Sequence, residues 1–101
     1  MSRAGTVTYR VTAPVWLWNA QKGSWHFVTI AGDAANGIRF DSMGMRGGFG
    51  LVKVVVEING VEWTTSIFPS KVDFILPLKA DVRRRAKIVA GDEVTATLRL
   101  A

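Results

Sequence analysis

The chain has 101 residues, of which 49% are hydrophobic and 21% charged, a composition that suits one domain with a core and excludes a disordered chain. It contains no cysteine, which excludes a disulfide framework and any zinc site with cysteine ligands. The net charge of +5 and the isoelectric point of about 10.3 are typical of nucleic-acid-binding proteins but equally of a soluble protein with a basic surface.

The sequence predicts one domain over residues 1–101, without a membrane segment. Its longest apolar run is far shorter than the roughly 20 residues that a membrane-spanning helix needs. The first residues show neither the apolar run nor the cleavage pattern of a signal peptide. We therefore expect a cytoplasmic protein that makes no contact with a membrane, in agreement with the absence of cysteine.

Extended segments dominate the first half of the sequence. Residues 6–12 alternate apolar and polar side chains, which predicts a half-buried strand that Pro14 ends or bends. The run VWLWNAQKGSWHFVTI then predicts two extended segments around a turn at residues 19–24. Asp33 is predicted to cap a short helix over residues 34–40.

One extended segment is apolar on both faces. Trp16 and Trp18 share one face, while Val15 and Leu17 take the other. A strand of this kind is either fully buried or covers a partner. We therefore take Trp16 and Trp18 as candidate binding residues for a second copy of the chain or for a protein partner.

A hairpin is the clearest unit in the second half. Asn59 and Gly60 are the preferred pair for a two-residue type I′ turn, in which both positions need positive φ. Pro69 is predicted to stop the second strand. The apolar positions on each side of the turn alternate, which predicts two inward faces made of Val52, Val54, Val56 and Ile58, and of Val61, Trp63, Thr65 and Ile67.

The last third predicts an extended run, a short helix and a final strand. Pro77 places the run DFILPLKA at a sheet edge or a strand end, and residues 94–100 alternate as a final strand. Together the segments predict an all-β fold: a small closed or nearly closed antiparallel barrel of about six strands, with one or two short helices.

A short helix over about residues 82–88 carries the densest charge of the chain. Asp81 is predicted to cap it, and Gly91 to supply the left-handed turn after it. Its predicted inward stripe is Val82, Ala86 and Val89, which leaves the basic residues Arg83, Arg84 and Lys87 outside. Such a patch is either a solvated helix face or a binding site for the phosphate groups of a nucleic acid.

Few residues of this chain suit catalysis. His26 is the only histidine, and the acidic residues fall at turns, at helix ends or on the polar faces of strands. The glycine-rich stretch GMRGGFG fits neither of the phosphate-binding glycine motifs. We therefore expect no catalytic residue, no metal ligand and no cofactor. An enzyme with a pocket around His26 and Arg46 is kept as a minor alternative.

Four stretches carry a family resemblance: WHFVTI, RGGFGLVKVVVEINGVEWTTSIFP, FILPLKADVRRR and AGDEVTATL. In this order they resemble the bacterial family known as domain of unknown function nineteen-oh-five, over most of the chain. The resemblance implies a double-split β-barrel, distantly related to AbrB/MazE-type barrels, which are often dimers that bind DNA or a toxin. It implies no activity, because the family has none established.

Two hypotheses about function follow from the sequence. The first is a non-catalytic barrel that acts as a binding or self-association module, as a homodimer for example. The second is a nucleic-acid-binding protein that uses the basic patch at residues 83–87. The candidate binding residues for the two hypotheses together are Trp16, Trp18, Arg46, Arg83, Arg84 and Lys87.

Overall fold

Six strands in the described part of the chain form one closed antiparallel barrel. The computed structural model describes residues 7–21, 23–45 and 47–101. The predicted all-β barrel with two short helices is confirmed. Its elements are β1 (Tyr9–Ala20), β2 (Gly23–Ile30), α1 (Gly32–Asp41), a 3₁₀ turn (Gly48–Gly50), β3 (Val52–Ile58), β4 (Val61–Ser70), β5 (Asp73–Pro77), α2 (Ala80–Ala86) and β6 (Glu93–Leu100). Around the barrel the strands follow the order β1-β2-β5-β4-β3-β6.

Two long strands each pair with both halves of the barrel. β1 pairs with β6 as far as Pro14, and with β2 from Val15 onward. β4 pairs with β3 as far as Ile67, and with β5 from Phe68 onward. The barrel therefore consists of two sheets that share β1 and β4, and the shared strands close it.

The prediction that Pro69 ends β4 is wrong, and of the two alternatives predicted for Pro14, an end of the first strand is excluded. Pro14 lies inside β1, at its last pair with β6, and Pro69 lies inside β4, one residue after that strand changes partner. A residue without an N–H is tolerated best where the ladder is interrupted. The predicted start of the first strand, Thr6, lies outside the described residues, and β1 begins at Tyr9.

The interior of the barrel follows the alternation of the strands. The four predicted inward residues of β3 are all buried, and so is Ile67 of β4. Asn59 and Gly60 both have positive φ, at 53° and 81°, which confirms the predicted turn. The largest fully buried side chains are Phe74, Ile30, Ile38, Ile58, Ile67, Leu76 and Leu98.

α1 packs against β1 and β5 through Ala35 and Ile38. It begins at Gly32, earlier than predicted, and Asp33 lies in its first turn without a side-chain capping bond. The predicted cap is therefore wrong, because the extended residue before the helix is Ala31. In the described part of the chain, no helix combines the length and the apolar character that crossing a membrane requires.

α2 ends before the predicted stripe is complete. Val82 and Ala86 are buried as predicted, but Val89 is 64% exposed and Ile88 takes the inward place. The reason is Lys87, which follows the helix with φ 59° and reverses the chain, so that helical spacing no longer applies. Lys87, not Gly91, is thus the left-handed residue that ends the helix. Asp81 makes no capping bond either, since the N-cap residue is Lys79.

Candidate functional site

Large aromatic side chains cover one outer side of the barrel. Val15 of β1 and Val28 of β2 point inward and are buried, so their neighbours along the strands point outward. Trp16 is paired with Phe27 across the two strands, and Trp18 with Trp25. We call the outward rings Trp16, Trp18, Trp25 and Phe27, with Phe68 of β4, the aromatic face.

The rings of the aromatic face contact one another. The centroids of Trp16 and Phe27 are 4.9 Å apart, and those of Phe27 and Phe68 are 6.0 Å apart with an edge-to-face orientation. Nε1 of Trp16 donates a hydrogen bond of 2.9 Å to Oγ1 of Thr29. These contacts hold three of the rings in fixed orientations, as expected for a preformed surface.

A groove of about 480 Å³ runs along the aromatic face. Among the described residues, Asp73 is the only charged one that lines it, and Ile75 forms part of its buried floor. The lining consists of Trp16, Trp18, Phe27, Thr29, Phe68, Ser70, Asp73 and Ile75. The basic charge of the protein is thus absent from this groove.

The tip of the β1–β2 hairpin extends beyond the barrel ladder. On the β1 side, the last backbone hydrogen bonds to residues outside the hairpin are those of Val15. Its amide donates to the carbonyl of Asp92, and its carbonyl accepts from the amide of Gly91. On the other side, the amide of Leu78 donates to the carbonyl of His26. In the part of the chain that the structure describes, residues 17–20 and 23–25 have no strand partner outside the β1–β2 hairpin. We call these two segments the free ribbon.

The free ribbon exposes apolar side chains at its end. Trp18 is 54% exposed, Trp25 is 56% exposed and Leu17 is 42% exposed. The predicted site residues Trp16 and Trp18 therefore lie together on one surface, half-buried and exposed respectively, and neither is buried inside the barrel. Of the two alternatives that the sequence left open for this segment, full burial is excluded by the exposure of Trp18.

A second concavity, which we call the basic pocket, lies between the start of β2 and the start of α2. It has a volume of about 320 Å³, and its polar lining consists of Ser24, His26, Lys79 and Arg83. Trp25, Pro77, Leu78 and Ala80 complete its walls. Sequence reasoning missed Lys79, because no sequence spacing links it to His26 and only the β2–β5 pairing brings their two segments together.

His26 occupies an unusual place in the basic pocket. Its Nδ1 is buried and has no hydrogen-bond partner among the described residues. Burial, and secondarily the positive charge of Arg83, lower the pKa of His26 below its ordinary value of 6.5. The ring is therefore neutral at pH 7. Arg46, the second residue of the alternative enzyme site, lies outside the described residues.

The three basic residues predicted as a patch do lie together. Arg83, Arg84 and Lys87 line one shallow depression of α2 with Ala80, Ile88 and Val89. Arg84 and Lys87 are exposed, but Arg83 is half-buried, and its Nη1 donates to the carbonyl of Leu78 at 3.1 Å. The prediction that Arg83 points outward is therefore only partly correct, because Arg83 also lines the basic pocket.

Several acidic residues have structural partners. Asp41 accepts a hydrogen bond from the phenol of Tyr9, and Asp92 accepts one from the amide of Val89. Glu57 accepts from the amide of Gly60, and Glu62 pairs with Arg99. Within the described ranges, no group of three or more His, Asp or Glu residues is placed to hold a metal ion.

A known protein family matches most of the chain. The family model described as Domain of unknown function (DUF1905) matches residues 12–98 of the chain. The match contains every strand except the first residues of β1 and the last residues of β6. No curated protein matches the sequence.

Proposed function

Because the chain belongs to the DUF1905 family, we propose that it is a non-catalytic binding module that associates with a second copy of itself through the aromatic face. The observation that carries the proposal is the free ribbon, which presents Trp18 and Trp25 to solvent on the same side as a groove lined by further rings. Apolar surface of this kind is typical of interaction sites.

A second copy suits this surface better than a charged partner. No basic side chain of the described ranges lines the groove, so two copies can approach face to face although each carries a net charge of +5. The ribbon also exposes strand edges that another ribbon can pair with. The resemblance to AbrB/MazE-type barrels, which are often dimers, adds support.

The non-catalytic part of the proposal rests on the tasks of the acidic residues. Asp41, Asp92, Glu57 and Glu62 each hold a neighbouring element in place, and none of them lines the basic pocket with His26. Because the described residues place no carboxylate beside His26 in this pocket, the histidine has no acidic partner there that would orient it as a general base, which supports the proposal.

Analytical ultracentrifugation over a wide range of protein concentration tests self-association. We expect the wild-type protein to form dimers as concentration rises, and Trp18→Ser to remain monomeric under the same conditions. Val89→Ser is the matched control, because Val89 is equally exposed but lies after α2, away from the groove lining. A wild-type protein that stays monomeric at every concentration would contradict the proposal.

Collisional quenching gives a second readout of the same interface. Trp18 and Trp25 are both more than half exposed in the single chain, so their fluorescence should be quenched strongly by acrylamide in dilute solution. Association should protect them, and quenching should fall as protein concentration rises. Strong quenching that does not depend on concentration would mean that the aromatic face is not covered by a second copy.

Nucleic-acid binding through α2 is the second candidate function. It is favoured by the depression that Arg83, Arg84 and Lys87 share, in which none of the three has a carboxylate partner among the described residues. A duplex that binds there should be released steeply as salt rises. Replacing Arg84 and Lys87 together by glutamine should abolish that binding, whereas dimer formation should be unaffected.

A further inference from the structure

We propose that the basic pocket binds a small organic anion, with an apolar body against Trp25 and a carboxylate or phosphate group at Lys79 and Arg83. The pocket is distinct from the groove of the aromatic face, whose lining includes neither of these cations. The inference therefore concerns a second binding site, which shares the wall residue Trp25 with the aromatic face but whose two cations lie outside that face.

The walls of the basic pocket are fixed by backbone hydrogen bonds. The amide of Leu78 donates to the carbonyl of His26 at 2.9 Å, which joins the start of β2 to the segment between β5 and α2. Arg83 then donates from Nη1 to the carbonyl of Leu78 at 3.1 Å. This bond orients the guanidinium while leaving its other N–H groups for a ligand, so the site is organised before binding.

The charge of the pocket is not balanced by the protein. Lys79 and Arg83 have no carboxylate within ion-pair distance in the described ranges, whereas Arg99 is paired with Glu62 at 3.0 Å. No acidic residue lines the pocket. Two cations at one concavity, one of them half-buried, favour an anion as the occupant.

The remaining lining defines the rest of the ligand. Oγ of Ser24 donates to Oδ1 of Asn19 at 2.7 Å, so its proton is used and it does not serve as a donor to the anion. Trp25, Pro77 and Leu78 present apolar surface beside the cations. A ligand with a planar or aliphatic body can stack on Trp25 while its anionic group reaches Arg83.

His26 supplies a spectroscopic report of the site. The charged groups that face it across the pocket are Lys79 and Arg83, and the positive charge of Arg83 helps to hold the pKa of His26 down. An anion bound at Arg83 offsets this charge, so the pKa of His26 should rise on binding. The ring is the only imidazole of the chain, so its titration can be followed by NMR without assignment to other histidines.

NMR titration with three probes tests the proposal at protein concentrations too low for association. Benzoate carries both the body and a carboxylate, inorganic phosphate carries the anionic group alone, and benzyl alcohol carries the body alone. We expect benzoate to shift the amide signals of residues 24–26 and 77–80 and to raise the pKa of His26. Phosphate should raise the pKa with weaker binding, and benzyl alcohol should leave it unchanged.

Two variants and a control locate the charge. Arg83→Met should weaken benzoate binding by about tenfold or more, since hydrogen bonds to charged groups contribute about 1.5–3 kcal/mol. Lys79→Met should weaken it as well, and because Lys79 is exposed this variant keeps the test valid if Arg83→Met fails to fold. Arg84→Met, at the exposed neighbouring position, should bind as the wild type does.

Three results would overturn the proposal. The first is an absence of any shift with benzoate or phosphate at these residues. The second is an equal loss of binding in Arg84→Met, which would indicate a diffuse effect of charge. The third is a pKa of His26 that does not move when benzoate is bound.

Discussion

The buried side chain of Tyr9 limits which residue can stand at position 37. Its ring is 8% exposed, and its phenol donates a hydrogen bond to the carboxylate of Asp41 at the end of α1. A Cβ added at Gly37 would lie 3.0 Å from Cε1 of this ring. From the sequence alone, a glycine in the middle of α1 predicts a weaker helix. In the structure, Gly37 leaves room for the ring of Tyr9, whose hydrogen bond to Asp41 joins α1 to β1.

Gly37→Ala should consequently destabilise the protein. Alanine favours a helix by about 1 kcal/mol over glycine, but the buried and hydrogen-bonded ring of Tyr9 has little freedom to move away from the new methyl group. Urea denaturation of the variant measures the change. In a Tyr9→Val background the same alanine should stabilise, and stabilisation with Tyr9 still present would show that the ring yields easily.

Tyr9 should also make stability depend on alkaline pH. Burial, followed by the hydrogen bond and the negative charge of Asp41, raises the pKa of Tyr9 to about 12 from the ordinary value of 10.0. The fold thus favours the neutral phenol. Its contribution should be complete below about pH 10 and should be lost as the pH rises through about 12.

The measurement for this prediction is direct, because the chain has a single tyrosine. Tyrosinate absorbance of the folded protein should titrate near pH 12, and thermal unfolding should lose less stability with rising pH in Tyr9→Phe than in the wild type. The difference between the two proteins isolates the contribution of Tyr9, because all other titratable groups are common to both. Identical pH profiles would rule out the assigned role of Tyr9.

Among the elements, the β3–β4 hairpin was the most predictable. Its turn needs two adjacent residues with positive φ. The pair Asn59 and Gly60 is typical of such turns, so the turn can be predicted from the local sequence. The structure adds a contact that no local pattern contains: Nδ2 of Asn59 donates to the carbonyl of Ala86 at 2.9 Å. The turn therefore also holds the end of α2.

Two substitutions separate the conformation of this turn from its contact with α2. Gly60→Val should cost more than about 1 kcal/mol, because a β-branched residue resists positive φ. Asn59→Gly keeps the turn but removes the bond to Ala86, and should cost about 0.5–1.5 kcal/mol. Thermal melts followed by circular dichroism measure both, and an unchanged melting temperature in Gly60→Val would contradict the first expectation.

β1 and α2 were predicted less well, for one physical reason. The length of β1 depends on its change of partner at Pro14 and Val15, and the end of α2 depends on Lys87 adopting φ 59°. Both are decided by tertiary contacts that override local preference. The same holds for the candidate sites. Trp16 and Trp18 could be recognised from alternation. Phe68 joins them, and Lys79 joins His26 in the basic pocket, only through strand pairings distant in sequence.

At the scale of the whole molecule, β1 and β4 belong to both sheets. Because β1 and β4 are the outer strands of both sheets, neither sheet can unfold completely without disrupting the other. The buried residues accordingly form a single cluster that includes residues from all six strands. Such a barrel should unfold as one cooperative unit.

Urea unfolding followed by two probes tests this cooperativity. Far-UV circular dichroism reports on all strands, and a variant in which Trp63 is the only tryptophan reports on the sheet that contains β3 and β6. A second variant that keeps only Trp16 reports on the other sheet. All midpoints should coincide within each protein, whereas separate midpoints for dichroism and fluorescence would mean that one sheet opens first.

The pairing of Tyr9 with Leu98 places the start of β1 beside the end of β6, with the two strands antiparallel. Tension applied through the two ends of the chain therefore acts on one hydrogen-bonded pair at a time, beginning at Tyr9 and moving toward Pro14. The β1–β6 pair therefore separates by breaking its hydrogen bonds one after another. Strands pulled in opposite directions along their length would resist with all their hydrogen bonds at once. The domain should therefore be mechanically weak between its ends, however high its melting temperature, and an unfolding machine that pulls on the chain would open the barrel at this pair of strands.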